Sequence, residues 1–314
     1  MENQPKHILL GAGGAIGNTL ANELIANNER VKLVSRSGHN LNNVESAKAD
    51  LTIFNDVKNV AEENSIVYLL AGLQYNINVW RIQWPKIMKN IIEACKEKNA
   101  RLIFFDNVYS YGKIEDRMTE ETPFNPCSKK GEVRAKLNEQ LLNEIKNKNI
   151  TAMITRAADF YGPYSDKGSI PYNLIFRNLA NGKRAQCLAN VNTKHSYTYV
   201  PDCGKALYLL SKTDSAFNQT WHMPTASPAL TSADFIKLVS EKLGVKPRYF
   251  VLTKWMVKIT GIFNSVIKEI YEMLYQNEFD YIFDSSKFEK QFNFTPKPYE
   301  KGIEETIKHY HLKK

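Results

Sequence analysis

The sequence predicts a doubly wound α/β fold, a parallel sheet with helices on both faces, followed by a smaller α/β C-terminal lobe. Three observations lead there. Short apolar runs alternate with helix-period segments through the first half, a glycine-rich turn joins the first run to the first helical segment, and the periodicity becomes irregular after YGPYSDKGS. The expected domains are 1–164, which carries the sheet, and 165–314, which folds back over it with some chain crossing to the first domain.

In order, HILL reads as a strand, AIGNTLANELIANN as a helix and VKLVS as a second strand. IVYLLAG, RLIFF and TAMITR continue the strand series, with helices at WPKIMKNIIEACKEK and GEVRAKLNEQLLNEIKNK between them. Beyond the composition shift, IPYNLIFRNLANG reads as a helix, SYTYV and QTWHM as short strands, TSADFIKLVSEKLG as a helix, and Tyr299 to Tyr310 as a closing helix. In such a fold ligands bind at the carboxyl ends of the strands, where loops converge and helix N-termini present unpaired N–H groups.

Bulk composition bounds the function. A chain of 314 residues with 43% hydrophobic content buries a sizeable core. Its net charge of +9 is spread along the sequence, which favours solubility over a specific nucleic-acid role. Cys95, Cys127, Cys187 and Cys203 are widely spaced and lack metal-ligand spacing, so neither zinc nor a disulfide framework is indicated. With no basic segment and long apolar core at the start, a cytoplasmic location is expected. FVLTKWMVKITGIF is broken by Lys254 and Lys258 and falls short of the roughly 20 apolar residues a membrane span needs. It reads as part of an amphipathic helix, and no membrane partner is expected.

The strand HILL runs into GAGGAIG and a helical pattern, the context that makes a glycine motif informative. Gly11 suits a tight turn, Gly14 a close approach of backbone to a pyrophosphate, and Gly17 close packing of helix on sheet, with Ile16 in the same segment. This is a Rossmann-like dinucleotide loop. At the end of VKLVS stand Ser35 and Arg36, where an NAD-selective protein would usually place an acidic residue. A hydroxyl and a guanidinium suit the extra phosphate of NADP, so NADP is preferred and NAD remains open; the rival reading leaves Arg36 in solvent. Asp50 in KADLT is the next candidate contact, through the adenine amino group, or else an ordinary turn residue.

Taken together these segments resemble the extended short-chain dehydrogenase/reductase family, the NAD-dependent epimerases and dehydratases that act largely on nucleotide sugars. The likeness runs nearly end to end: KADL with Leu51, LLAG with Ala71 and Gly72 beside the cofactor, DNVYSYG after the fifth strand, RAADFYGP at the sixth-strand exit, SYTYVPDCGKAL before a helix, and TSADFIKLVSEKLG with FDSSKFEKQFNFTP in the substrate lobe. The resemblance implies a small-molecule substrate and leaves a homodimer open. It also implies a Tyr-x-x-x-Lys pair with an upstream Ser or Thr, the tyrosine relaying a proton and the lysine holding the ribose. Here the pattern departs. Counting back from Tyr111 puts Asn107 in place of Ser or Thr, and counting back from Lys136 puts Glu132 in place of the tyrosine. The chain is thus similar to an atypical branch of the family.

Glu132 and Lys136 share a helix face, either as a solvated pair or turned toward the cofactor ribose. Asn107 can hold a substrate oxygen or merely its own loop. Tyr109 is the better surrogate proton donor, because Tyr111 resembles a structural tyrosine of ordinary family members. His195 is a further candidate with a structural alternative, as are Trp80, Arg81 and Trp84, at a pocket mouth or in helix packing. Two functions follow: an NADP-dependent oxidoreductase or epimerase acting on a hydroxyl or carbonyl through a rearranged site, or a catalytically silent NADP(H)-binding sensor or scaffold.

Overall fold

The computed structural model describes residues 5–41 and 44–312. The chain divides into two compact units. One comprises residues up to Ser110, Lys130–Arg156 and Cys203–Trp221; the other comprises Tyr111–Lys129, Ala157–Asp202 and the residues from His222 onward.

The first unit opens with β1 (His7–Leu10), α1 (Ala15–Ala26), β2 (Val31–Ser35), β3 (Glu45–Lys48), α2 (Phe54–Val60), β4 (Ile66–Leu69), α3 (Ile77–Glu97) and β5 (Arg101–Asp106). After β6 (Arg117–Met118), which belongs to the second unit, come α4 (Lys129–Lys146) and β7 (Ala152–Arg156). The second unit continues with β8 (Asp159–Tyr161), α5 (Arg177–Ala180), β9 (Ala185–Leu188), β10 (Lys194–His195) and β11 (Tyr197–Tyr199). The chain then returns through α6 (Val200–Ser211) and β12 (Thr220–His222). The remaining elements are β13 (Leu230–Thr231), α7 (Ser232–Leu243), β14 (Tyr249–Leu252), α8 (Lys254–Phe263), α9 (Ser265–Tyr271), α10 (Tyr275–Glu278), β15 (Ile282–Phe283), α11 (Ser286–Phe292) and α12 (Tyr299–His309).

A seven-stranded sheet in the order β12-β7-β5-β4-β1-β2-β3 forms the first unit's frame. The pairings from β3 through β7 are all parallel, and Leu10 is in register with both Val34 and Leu69, so the strands end along one edge. This is the doubly wound order the alternating pattern predicts, with the reversal beside β1. Burial of Ile8, Leu10, Val67, Phe104 and Ile154 with Trp84, Ile87, Ile91, Leu137 and Leu141 fixes α3 and α4 on one face. Two elements escape the sequence pattern. β3 is the polar edge segment ESAK, and α2 is a seven-residue helix burying only Val57 and Val60. α3 begins well before Pro85 because Asn76 caps it, its Oδ1 accepting the amides of Asn78 at 2.9 Å and Val79 at 3.3 Å.

The second unit is built from pairs of short strands: β8 with β11 and β9 with β14 in parallel, β15 with β6, and β10 with β13 antiparallel. An aromatic core of Tyr161, Phe176, Tyr197, Phe235 and Tyr299 holds it together. α7 starts where Thr231 accepts the Asp234 amide at 3.1 Å and stops at Gly244, whose φ of +66° only glycine adopts readily. α8 is the amphipathic helix expected from FVLTKWMVKITGIF. It buries Val257 and Gly261 and exposes Trp255, Ile259, Ile262 and Phe263. No described helix is long and apolar enough to cross a membrane.

Candidate functional site

The bend between β1 and α1 has the build of a phosphate cradle. Gly11 has φ +104°, and a Cβ on it would lie 2.5 Å from the backbone of Ala71, so the bend rests directly on the exit of β4. A Cβ on Gly17 would lie 3.0 Å from the Gly11 carbonyl, and Ile16 is buried beside it. Gly14 differs. Its φ of −78° suits any residue, and a Cβ there would meet only the Gly11 carbonyl at 3.6 Å, so nothing in the protein itself demands glycine. No side chain caps α1 and no acidic residue sits in its first turn, which leaves the helix N-terminus to accept an external anion. A Cβ on Gly72 would meet no atom within 4 Å.

At the end of β2, the Ser35 hydroxyl accepts the amides of Gly38 at 3.0 Å and His39 at 2.7 Å, which shapes the loop and leaves its own proton to donate. Arg36 is exposed. His39, which sequence reasoning missed, turns its ring onto the glycine bend, 3.1 Å from where a Gly13 Cβ would stand. Its Nε2 is buried and has no hydrogen-bond partner among the described residues. Asp50 accepts from Thr52 N at 2.9 Å and Thr52 Oγ1 at 2.7 Å; these bonds, helped by the charge of Arg36, hold its carboxyl below the usual range. Asp50 therefore builds its own turn, the alternative weighed from sequence. Leu51 is buried, and its carbonyl accepts from Asn90 Nδ2 at 3.0 Å.

On α4, Glu132 and Lys136 are both exposed, and among the described residues neither makes an ion pair. The inward stripe is Lys130, Val133, Arg134, Leu137, Asn138 and Leu141. The reason lies in the helical period. The apolar positions Val133, Leu137 and Leu141 fix which side packs on the sheet, and positions 132 and 136 point away from it. Among the buried residues are two cations one turn apart, Lys130 and Arg134. Cations are seldom fully buried unless paired, so no sequence signal marks them as inward-facing.

Their surroundings explain the burial. Arg134 lies over the rings of Trp84 at 4.2 Å, Trp80 at 5.2 Å and Phe104 at 5.6 Å. Its Nε is 3.2 Å from Asp106 Oδ1, and Arg156 Nε is 3.7 Å from Asp106 Oδ2. Asn138 ties these together, donating to Asp106 Oδ2 at 2.6 Å and accepting from Arg156 Nη2 at 2.9 Å. Burial pulls the Arg134 guanidinium below its ordinary pKa while Asp106 opposes that. Lys130 Nζ stands 4.5 Å from the ring centre of Tyr75, which meets Trp80 edge-on at 5.7 Å.

The loop after β5 places Asn107 Oδ1 as acceptor of the Tyr109 amide at 3.0 Å, so its carbonyl serves the loop. Tyr109 stacks on Trp80 with centroids 6.3 Å apart. Trp80 and Trp84 are helix-packing residues, and Arg81 is exposed. In the second unit His195 is buried, with Nε2 3.0 Å from Asp159 Oδ2 and Nδ1 3.2 Å from the Gln276 carbonyl, a structural setting. A cleft of about 380 Å³ lined by Asn64, Lys96, Arg101 and Thr151 opens at the amino ends of β5 and β7, away from the glycine bend. The four cysteines are free, and among the described residues no group of three or more His, Cys, Asp or Glu is arranged to hold a metal ion.

A doubly wound parallel sheet with an uncapped helix behind a glycine bend defines a dinucleotide-binding α/β protein. The model of the NAD dependent epimerase/dehydratase family matches residues 7–221, and the chain belongs to that family. A dTDP-glucose 4,6-dehydratase of Mycolicibacterium smegmatis is 24% identical over 173 residues; the match takes in 52% of this chain and 51%, about half, of that relative. Among solved structures, a UDP-glucose 4-epimerase of Thermus thermophilus in complex with NAD has a TM-score of 0.79 at 17% identity, covering 98% of this chain and 99% of that one. A dTDP-glucose 4,6-dehydratase of Bacillus anthracis in complex with NAD has a TM-score of 0.77 at 17% identity, covering 98% and 96%. At these identities the structural likeness concerns the fold.

Proposed function

We propose that the chain is an NADP-binding oxidoreductase or epimerase acting on a hydroxyl or carbonyl group, with nucleotide-sugar-like molecules as the first substrate class to test. The observation that carries this reading is Gly14: glycine where internal packing requires none, at the head of an α1 that no side chain caps. Backbone amides of the bend and of the first turn hold the diphosphate, while Gly72 leaves room beside β4. Ser35, Arg36 and His39 offer donors to a 2'-phosphate, which favours NADP over NAD. When bound, the nicotinamide ring supplies hydride transfer. Asn107 Nδ2 orients the substrate oxygen and the Tyr109 phenol exchanges its proton. Glu132 and Lys136, exposed on α4, are not carried forward in that role.

A second reading, a silent NADP(H)-binding sensor or scaffold, is favoured by the absence from α4 of any tyrosine to serve as the family's proton relay. One experiment separates these. NADPH and NADH are titrated calorimetrically; NADPH absorbance is then followed across a panel of aldehydes, ketones and alcohols, and nucleotide sugars incubated with the oxidised coenzyme are separated by chromatography, because an epimerisation returns its hydride and leaves the absorbance unchanged. Tight NADPH binding with turnover of a panel member is the expected result. Tight binding without any turnover selects the sensor, and no heat with either coenzyme overturns both.

A further inference from the structure

The guanidinium of Arg134 is paired by charge with Asp106, yet among the described residues neither its Nε nor its Nη1 makes a hydrogen bond. The residue is 7% exposed, and its Nη1 is buried. An unmade bond on a buried donor costs about 1–3 kcal/mol, more for a charged group, a cost that a bound acceptor would relieve. Arg134 and Arg156 both lie beside Asp106, and Lys130 stands one turn before Arg134 on the same stripe of α4. The walls are the rings of Trp80 and Trp84, against which the guanidinium lies, with Tyr109 stacked on Trp80. A guanidinium packed over aromatic rings with unmade N–H bonds suits a planar or tetrahedral oxyanion.

From this geometry we infer that Arg134 anchors an oxyanion subsite, walled by Trp80, Trp84 and Tyr109 and backed by Lys130, which takes a carboxylate or phosphate group of the substrate. The inference rests on the reading that the carboxyl edge of the sheet is the reactive end, and it narrows the substrate class to molecules carrying such a group there. Proton exchange falls to the loop after β5.

The tryptophans report on the subsite. The full-length chain is titrated with inorganic phosphate and, separately, with acetate, each against sodium chloride at matched ionic strength, while tryptophan emission is recorded with and without saturating NADPH. A saturable change with phosphate or acetate that chloride does not give is expected, and which of the two binds tighter identifies the oxyanion. Trp80→Phe should remove much of the amplitude. Arg134→Lys, which keeps a charge toward Asp106 but loses the forked Nη1, should weaken the response at least tenfold, whereas Lys89→Gln on the exposed face of α3 should leave it unchanged. Should Arg134→Lys fail to fold by circular dichroism, Lys130→Met keeps the Arg134–Asp106 contact and should weaken binding at least threefold. No saturable response in the wild type overturns the subsite, as does a response indifferent to whichever of these two variants folds. NADPH binding measured on the same samples keeps the two ideas apart: coenzyme binding without an oxyanion response sinks the subsite alone, and an oxyanion response without coenzyme binding sinks the proposed function alone.

Discussion

Asn138 donates to Asp106 Oδ2 across 2.6 Å while its own Oδ1 accepts from Arg156, so one amide side chain holds the end of β5 to the end of β7. Both residues are buried, and the carboxylate stands between two guanidinium groups. Removing the charge strands two buried cations. Asp106→Asn is therefore expected to cost about 3–5 kcal/mol in urea unfolding. Asn138→Ala should cost about 1–3 kcal/mol, since it removes hydrogen bonds but no charge. Equal costs for the two variants would show that charge neutralisation is not what stabilises this end of the sheet.

The glycine bend separates scaffold from ligand. Gly11→Ala forces a side chain into φ +104° and to within 2.5 Å of Ala71, and a loss of at least about 1–3 kcal/mol of stability is expected. Gly14→Ala meets neither obstacle. Its stability should stay within about 0.5 kcal/mol of wild type. NADPH affinity should nevertheless fall at least tenfold, because the added methyl stands where backbone must approach a diphosphate. Unchanged affinity in a folded Gly14→Ala variant would sink the cradle assignment.

The bend was legible in the sequence because its glycines answer to local backbone geometry, and the sheet was legible because buried strands such as β1 and β4 are continuous apolar runs. β3 was not, since the edge segment ESAK is held by backbone pairing with β2 and carries no apolar signal. The inward face of α4 was only half legible: Val133, Leu137 and Leu141 mark it by helical period, but nothing in the pattern signals that Lys130 and Arg134 are buried beside them. His39 lay outside reach altogether: its approach to Gly13 depends on a turn closed by the Ser35 hydroxyl, which no pattern of hydrophobicity encodes.

Coenzyme choice turns on that same loop. Arg36→Asp places a carboxylate beside Asp50 and removes a phosphate donor. NADPH affinity should fall by about 10- to 100-fold, the range expected for a charge-assisted hydrogen bond of about 1.5–3 kcal/mol, while NADH affinity changes far less. His39→Ala should act in the same direction, more weakly, because it removes an Nε2 that has no partner among the described residues and would donate to a 2'-phosphate. Calorimetric titration of each variant with both coenzymes checks this. A preference that survives both substitutions removes the loop from the assignment.

His7 gives the fold an acid limit. It is wholly buried at the start of β1, with Nδ1 2.8 Å from the Tyr68 hydroxyl and Nε2 3.5 Å from Glu29, whose carboxylate also meets Lys212 at 2.8 Å. Burial pushes the imidazole pKa down from 6.5 to about 4, against the pull of Glu29 and with help from Lys212. The unfolded chain thus binds a proton more readily than the folded one between those two values. His7 stabilises the fold fully above pH 6.5, and that contribution drains away as pH falls toward about 4. The full shift corresponds to about 3 kcal/mol as an upper figure. His7→Gln, which keeps a polar partner for Tyr68 but cannot titrate, should show a shallower loss of unfolding free energy across that window in urea melts at successive pH values. Identical slopes for the variant and the wild type would place the acid sensitivity elsewhere, in the carboxylates that pair across the surface.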